Sequence, residues 1–99
     1  MADLRIALQD GFEGDTVVVK VNGQEVFKQE NIKTKRQIGK AASFEVEVEK
    51  GSTNVEVSLP LKSLSETIAV KVSGETYLGV SVVKEKIEHR VSSEPFRYA

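Results

Sequence analysis

The chain has 99 residues, no cysteine, and 14 Lys and Arg against 15 Asp and Glu. That length suits one domain and leaves no room for a second core, and the missing cysteines exclude disulfides, cysteine-held zinc and thiol nucleophiles. With charges nearly cancelled, no global field draws the molecule onto nucleic acid or an anionic membrane.

A chain of this size buries roughly 60–70% of the surface its unfolded form exposes, enough for a core without cross-links. One domain spanning 1–99 is expected. The N-terminal Met-Ala-Asp-Leu-Arg-Ile-Ala-Leu lacks the basic start and long apolar core of a signal peptide. No apolar run approaches the roughly 20 residues of a membrane span. A soluble cytoplasmic protein is therefore expected, with no cofactor, no nucleic-acid partner and no membrane partner.

Period-2 alternation of apolar and polar residues recurs along the sequence, which gives each such run one oily and one wet face. The first strand is expected over 3–9, with Leu4, Ile6 and Leu8 on one face. Asp10, Glu13 and Asp15 follow in a Gly-rich loop. Three carboxylates in six residues suit calcium, but acidic Gly-rich loops are ordinary surface turns, and no EF-hand spacing is present.

Strands over 16–21 and 24–29 flank Asn22-Gly23, the strongest hairpin signal in the chain, because both turn positions tolerate positive φ. An unbroken ladder pairs Val19 with Val26 and Val18 with Phe27, beside Lys20 opposite Glu25. Val18 and Phe27 then form an apolar patch on the second face, a candidate partner surface.

The longest connection, 30–43, carries Lys33, Lys35, Arg36 and Lys40 with no acid between Glu30 and Glu45. Clustered Lys and Arg supply charge-assisted donors for a phosphate or an acidic segment, although a solvated loop explains them too. At most one helical turn is expected there, weakened by Gly39.

Strands over 44–49 and 54–59 are read as a hairpin pairing Val48 with Val55, Val46 with Val57 and Phe44 with Leu59. That register sets Glu47 against Glu56, an unfavourable pair, unless a lysine bridges them or the strands are not direct partners. Glu45, Glu47, Glu49 and Glu56 would line one wet face, available to a basic partner or to the basic loop of another copy. Pro60 ends the fifth strand, since it has no N–H to donate.

The last strands are expected over 66–73, 76–83 and 86–92. A Lys84-Glu85 turn pairs Val82 with Ile87, Val80 with His89 and Leu78 with Val91. His89, the sole histidine, then lies on the apolar side, packed or at the rim. No nucleophile elbow accompanies it. Phe96 and Tyr98 share one side of an extended tail, placed either on the chain's own sandwich end or on another subunit.

Short strands with regular turns read as a two-sheet antiparallel β-sandwich of seven to eight strands. An immunoglobulin-like arrangement is the first expectation, with jelly-roll or C2-like topologies as alternatives. Val-Asn-Gly-Gln-Glu-Val-Phe (21–27), Tyr-Leu-Gly-Val-Ser (77–81) and Ser-Glu-Pro-Phe-Arg-Tyr (93–98) together resemble small, uncharacterised bacterial β-sandwich proteins. The resemblance implies a stand-alone bacterial domain and carries no activity or site residue. The functional expectation is a non-enzymatic binding or protein-interaction module, or a homo-oligomer. An anion- or calcium-responsive module is the alternative, and a small enzyme the remote one.

Overall fold

The computed structural model describes residues 2–35, 37 and 39–96. Eight strands appear in chain order: β1 (Ala2–Leu8), β2 (Glu13–Val21), β3 (Gln24–Lys33), β4 (Ala42–Val48), β5 (Gly51–Leu59), β6 (Leu64–Val72), β7 (Thr76–Val83) and β8 (Lys86–Ser92). A 3-10 turn, Pro60–Lys62, joins β5 to β6, so Pro60 does stop the fifth strand. No helix among the described residues is long and apolar enough to cross a membrane.

Two four-stranded sheets pack face to face. The first has the order β4-β1-β7-β8, the second β3-β2-β5-β6. The alternating residues meet between them: Leu4, Ile6 and Leu8 from β1, Val17 and Val19 from β2, Val55, Val57 and Leu59 from β5, Leu78 and Val80 from β7 are wholly buried. Each such side chain stabilises the fold by about 1.5–3 kcal/mol relative to exposure.

One pairing departs from the antiparallel expectation. β1 and β7 run parallel, with Leu4 opposite Thr76 and Leu8 opposite Val80. β7 leaves the bend after β6 at the end of the sandwich where β1 begins, so both strands head the same way. Their loops therefore gather at the far end.

Two registers differ from the sequence reading. β4 and β5 are not partners: β4 pairs with β1, and β5 lies between β2 and β6. The 49–50 connection crosses from one sheet to the other, so the apolar faces of β4 and β5 enter the core from opposite sheets rather than side by side. Glu47 then stands opposite Asp3 and Glu56 opposite Lys20. The two glutamates belong to different sheets, and the four-glutamate face does not form.

In the β2–β3 hairpin the register slips between Val19 and Lys20. Val21 and Lys20 meet Gln24 and Glu25 as expected. The slip then adds Val26 as a bulge and sets Phe27 opposite Val19. Phe27 turns inward as a result, and Val18 stays on the outer face opposite Lys28. The β7–β8 register matches the sequence reading pair for pair.

Candidate binding site at the loop end

Three connections and the 3-10 turn converge at the end where β1 and β7 finish. The loop after β1 is threaded between the two neighbouring segments. Gln9 N–H donates to Val80 O at 2.7 Å, and Val82 N–H donates to Asp10 O at 2.9 Å. On the other side Thr34 acts as a clasp. Its hydroxyl donates to Gln9 O at 2.6 Å and accepts from Phe12 N–H at 3.1 Å, while its own N–H reaches Phe12 O at 2.9 Å. Phe12 is 2% exposed and plugs this end of the core.

Gly11 is required for that path. Its φ is +87°, and a Cβ there would stand 1.9 Å from Val82 O. No side chain fits without moving the β7 backbone.

The three carboxylates of this loop do not converge. Asp15 is buried; its Oδ1 lies 3.2 Å from Lys62 Nζ and its Oδ2 accepts from Glu13 N–H at 2.9 Å. It pins the 3-10 turn to β2, while Asp10 and Glu13 are exposed. Among the described residues no three His, Cys, Asp or Glu side chains gather as a metal site.

The basic connection lies beside this acidic loop. Lys35 and Lys40 face each other across a tight turn, with Lys35 N–H on Lys40 O at 3.0 Å and Gly39 N–H on Lys35 O at 2.8 Å. Lys33 and Lys35 are exposed and Lys40 is half-buried. Arg36 lies outside the described residues. A Cβ on Gly39 would sit 3.5 Å from Asp10 Oδ1, so the two charged loops that the sequence offered as separate sites share one end of the molecule.

Two adjoining depressions open there, sharing Gly11 and Glu13. The first, of about 580 Å³, is also lined by Lys62, Leu64, Val82, Lys84 and Glu85. The second runs past Gly14 and Asn31 to Lys33 and Thr34. The first has an apolar floor, Leu64 and Val82, under a rim of both charge signs. It lies between the start of β6 and the β7–β8 turn.

The rim at Lys84-Glu85 is strained. Both residues are left-handed, with φ of 49° and 62°. The Asn22-Gly23 turn holds the same two-residue conformation with the residues suited to it. A side chain in that region costs about 1–2 kcal/mol, and such strain concentrates at working sites. Leu61, next to Lys62, is 74% exposed at the same end.

The remaining candidates fall elsewhere. Phe27 stacks on Phe44 at 4.4 Å between ring centroids, 8° from parallel, so Val18 and Phe27 form no shared patch. His89 sits opposite Val80 as expected but is exposed, because β8 is an edge strand. Phe96 lies under the Arg90 guanidinium at 4.5 Å, which puts that ring against β8 rather than in the sandwich end. Tyr98 is outside the described residues. On the outer face of the first sheet, Arg5 pairs with Glu45 at 3.0 Å. Glu75 accepts the Tyr77 hydroxyl, which raises the Tyr77 pKa above its ordinary value.

Sequence reasoning missed Lys62, Leu64, Val82, Lys84 and Glu85 as a group. Pro60 was legible as a strand end and Lys84-Glu85 as a turn. Their meeting depends on which strands end together, and no local signal carries that. The one clue was a hairpin turn without Gly or Asn.

Comparison of the chain with protein-family models, with curated proteins and with solved structures returned no match.

Proposed function

We propose that the protein is a non-enzymatic interaction module that takes an extended protein segment at the loop end. One observation carries the reading: a turn of two strained non-glycine residues, Lys84 and Glu85, rims a depression floored by Leu64 and Val82. A volume of about 580 Å³ is within the range of ligand sites. An apolar side chain fits the floor. The mixed rim of Lys62, Lys84, Glu13 and Glu85 suits polar flanks of a peptide better than a simple anion.

The rigid surroundings favour this role. Thr34, Gly11 and the Asp15–Lys62 pair fix the loops, and a preorganised site binds with less ordering cost. A second reading, an anion held by the basic connection, is favoured by the neighbouring depression, where Lys33 lies beside Gly14. Phosphate should then raise the melting temperature, as any ligand of the folded state does.

The architecture is immunoglobulin-like in its layers and in offering loops at the sandwich ends. Its strand order differs from the ABED and CFG sheets of constant immunoglobulin domains, and four strands per sheet also suits the jelly-roll or C2-like alternatives. A cytoplasmic location is supported by the cysteine-free sequence, and a stand-alone bacterial protein by the sequence resemblance alone.

Random-peptide display on the immobilised protein tests the main reading, with counter-selection on a Leu64→Glu/Lys84→Glu variant. Enrichment of sequences with one large apolar anchor, lost on the variant, is the expected result. No enrichment, or enrichment that the variant leaves intact, overturns the site.

A further inference from the structure

Among the described residues, one of the two lateral seams of the sandwich is shut and the other is not. Phe27 of β3 and Phe44 of β4 stack across one side. On the other side, between β6 and β8, the inward-facing side chains of β8 remain partly open to water. Ile87 is half-buried, His89 is exposed and Val91 is 48% exposed. Among the described residues β8 is also the free edge of its sheet, so half of its backbone donors and acceptors have no strand beside them there.

The sequence of β8, Lys-Ile-Glu-His-Arg-Val-Ser, is self-complementary about His89. We infer that β8 is a dimer edge, pairing antiparallel with β8 of a second copy across a two-fold axis at His89. In that register Ile87 meets Val91 of the second copy, and Glu88 meets its Arg90. Each contact occurs twice, as a two-fold interface requires. The apolar pairs lie on the inner face and the ion pairs on the outer face, because successive residues alternate faces. Opposite charges directly across antiparallel strands are favourable, and so are apolar pairs.

Neighbouring registers fail. Centring on Glu88 sets that glutamate on its own copy and Lys86 on Arg90. Centring on Arg90 sets arginine on arginine. An axis between two residues pairs inner-face with outer-face positions and breaks the layering. Charges on an edge strand ordinarily block pairing; here they disfavour the registers centred on Glu88 and Arg90, while the one centred on Ile87, which also sets Lys86 against Glu88, pairs only the first three residues of the strand. Backbone geometry raises no conflict. The chosen register keeps parity, so the outward-facing amides of one copy meet the outward-facing amides of the other.

Two of the other three edge strands, β3 and β4, are poorer. β3 is broken by three register shifts. Centring β4 on Glu45 sets that glutamate on its own copy, and Arg5 already holds Glu45. The Arg90 guanidinium carbon lies 4.5 Å from the Phe96 ring centroid, and a guanidinium carries five N–H donors, enough to meet a carboxylate as well. The dimer would join the two first sheets into one continuous eight-stranded sheet. A single strand pair is a small interface, so the association is concentration-dependent.

Sedimentation velocity from low-micromolar to sub-millimolar protein tests the inference with a charge cycle. The unmodified chain should shift from monomer to dimer. Glu88→Arg alone and Arg90→Glu alone should each weaken the dimer at least tenfold, by setting like charges opposite. The double variant Glu88→Arg/Arg90→Glu should restore it, because the swapped charges pair again. Circular dichroism and the melting temperature at monomeric concentrations check that each variant folds. Monomer at every concentration overturns the inference. So does a dimer that both single variants leave intact, or one that the double variant fails to recover. Peptide binding at the loop end is a separate readout, so the failure of either assignment leaves the other standing.

Discussion

The two lateral seams of this sandwich solve the same problem in opposite ways. At the β3/β4 side, Phe27 and Phe44 fill the gap with a parallel ring stack, and a β-bulge at Val26 aims Phe27 inward to do it. At the β6/β8 side no ring stack closes the gap among the described residues. Ile68, Val70 and Val72 of β6 are buried, whereas β8 keeps Val91 in water and its turn rims a depression. A shut seam contributes stability. An open one leaves a strand edge and a cleft available to something else.

The largest effect should come from opening the shut seam. Phe44→Ala removes half of the ring stack and leaves Phe27 facing a void. It should destabilise the protein by about 3 kcal/mol and lower the melting temperature by roughly 15 °C, read by calorimetry. A loss under a third of that would mean the stack is incidental to closing the sandwich.

A smaller effect, of opposite sign, is expected at the open seam. Replacing the strained turn by the sequence used at the other hairpin, Lys84→Asn/Glu85→Gly, should stabilise the fold by about 1 kcal/mol, near 5 °C. The same variant should lose peptide enrichment in the display experiment. Stabilisation without loss of binding would separate the strain from the site.

The smallest effect is expected at Val91. Val91→Thr, melted in dilute monomeric protein, should shift stability by no more than about 0.5 kcal/mol, because an exposed position loses little on gaining a hydroxyl. Val19→Thr buries the hydroxyl beneath the shut seam and should cost about 1–3 kcal/mol. Equal losses at the two positions would contradict the asymmetry between the seams.

The sequence alone determined the strands. Alternation placed all eight, and for β7 and β8 the bounds agree to the residue. Leu4, Ile6, Leu8, Leu78 and Val80 were legible as core because period 2 is a local property of the backbone. The Lys84-Glu85 register followed from the same parity. The Glu47–Glu56 conflict left two readings open, a bridging lysine or strands that are not partners, and the structure takes the second.

The tertiary structure decided which strands lie beside which, because apolar parity is satisfied equally by a neighbour in the sheet and by a facing strand across the core. That choice sent β4 to β1, set β1 parallel to β7, and gathered the acidic and basic loops at one end. It also decided the bulge at Val26. A slip of one residue is invisible in the pattern, yet it turns Phe27 from a surface residue into the inward half of a ring stack. The candidate site has the same origin: Lys62, Leu64, Val82 and Lys84 come together only because β5 ends, β6 begins and β7 turns into β8 at the same end of the sandwich.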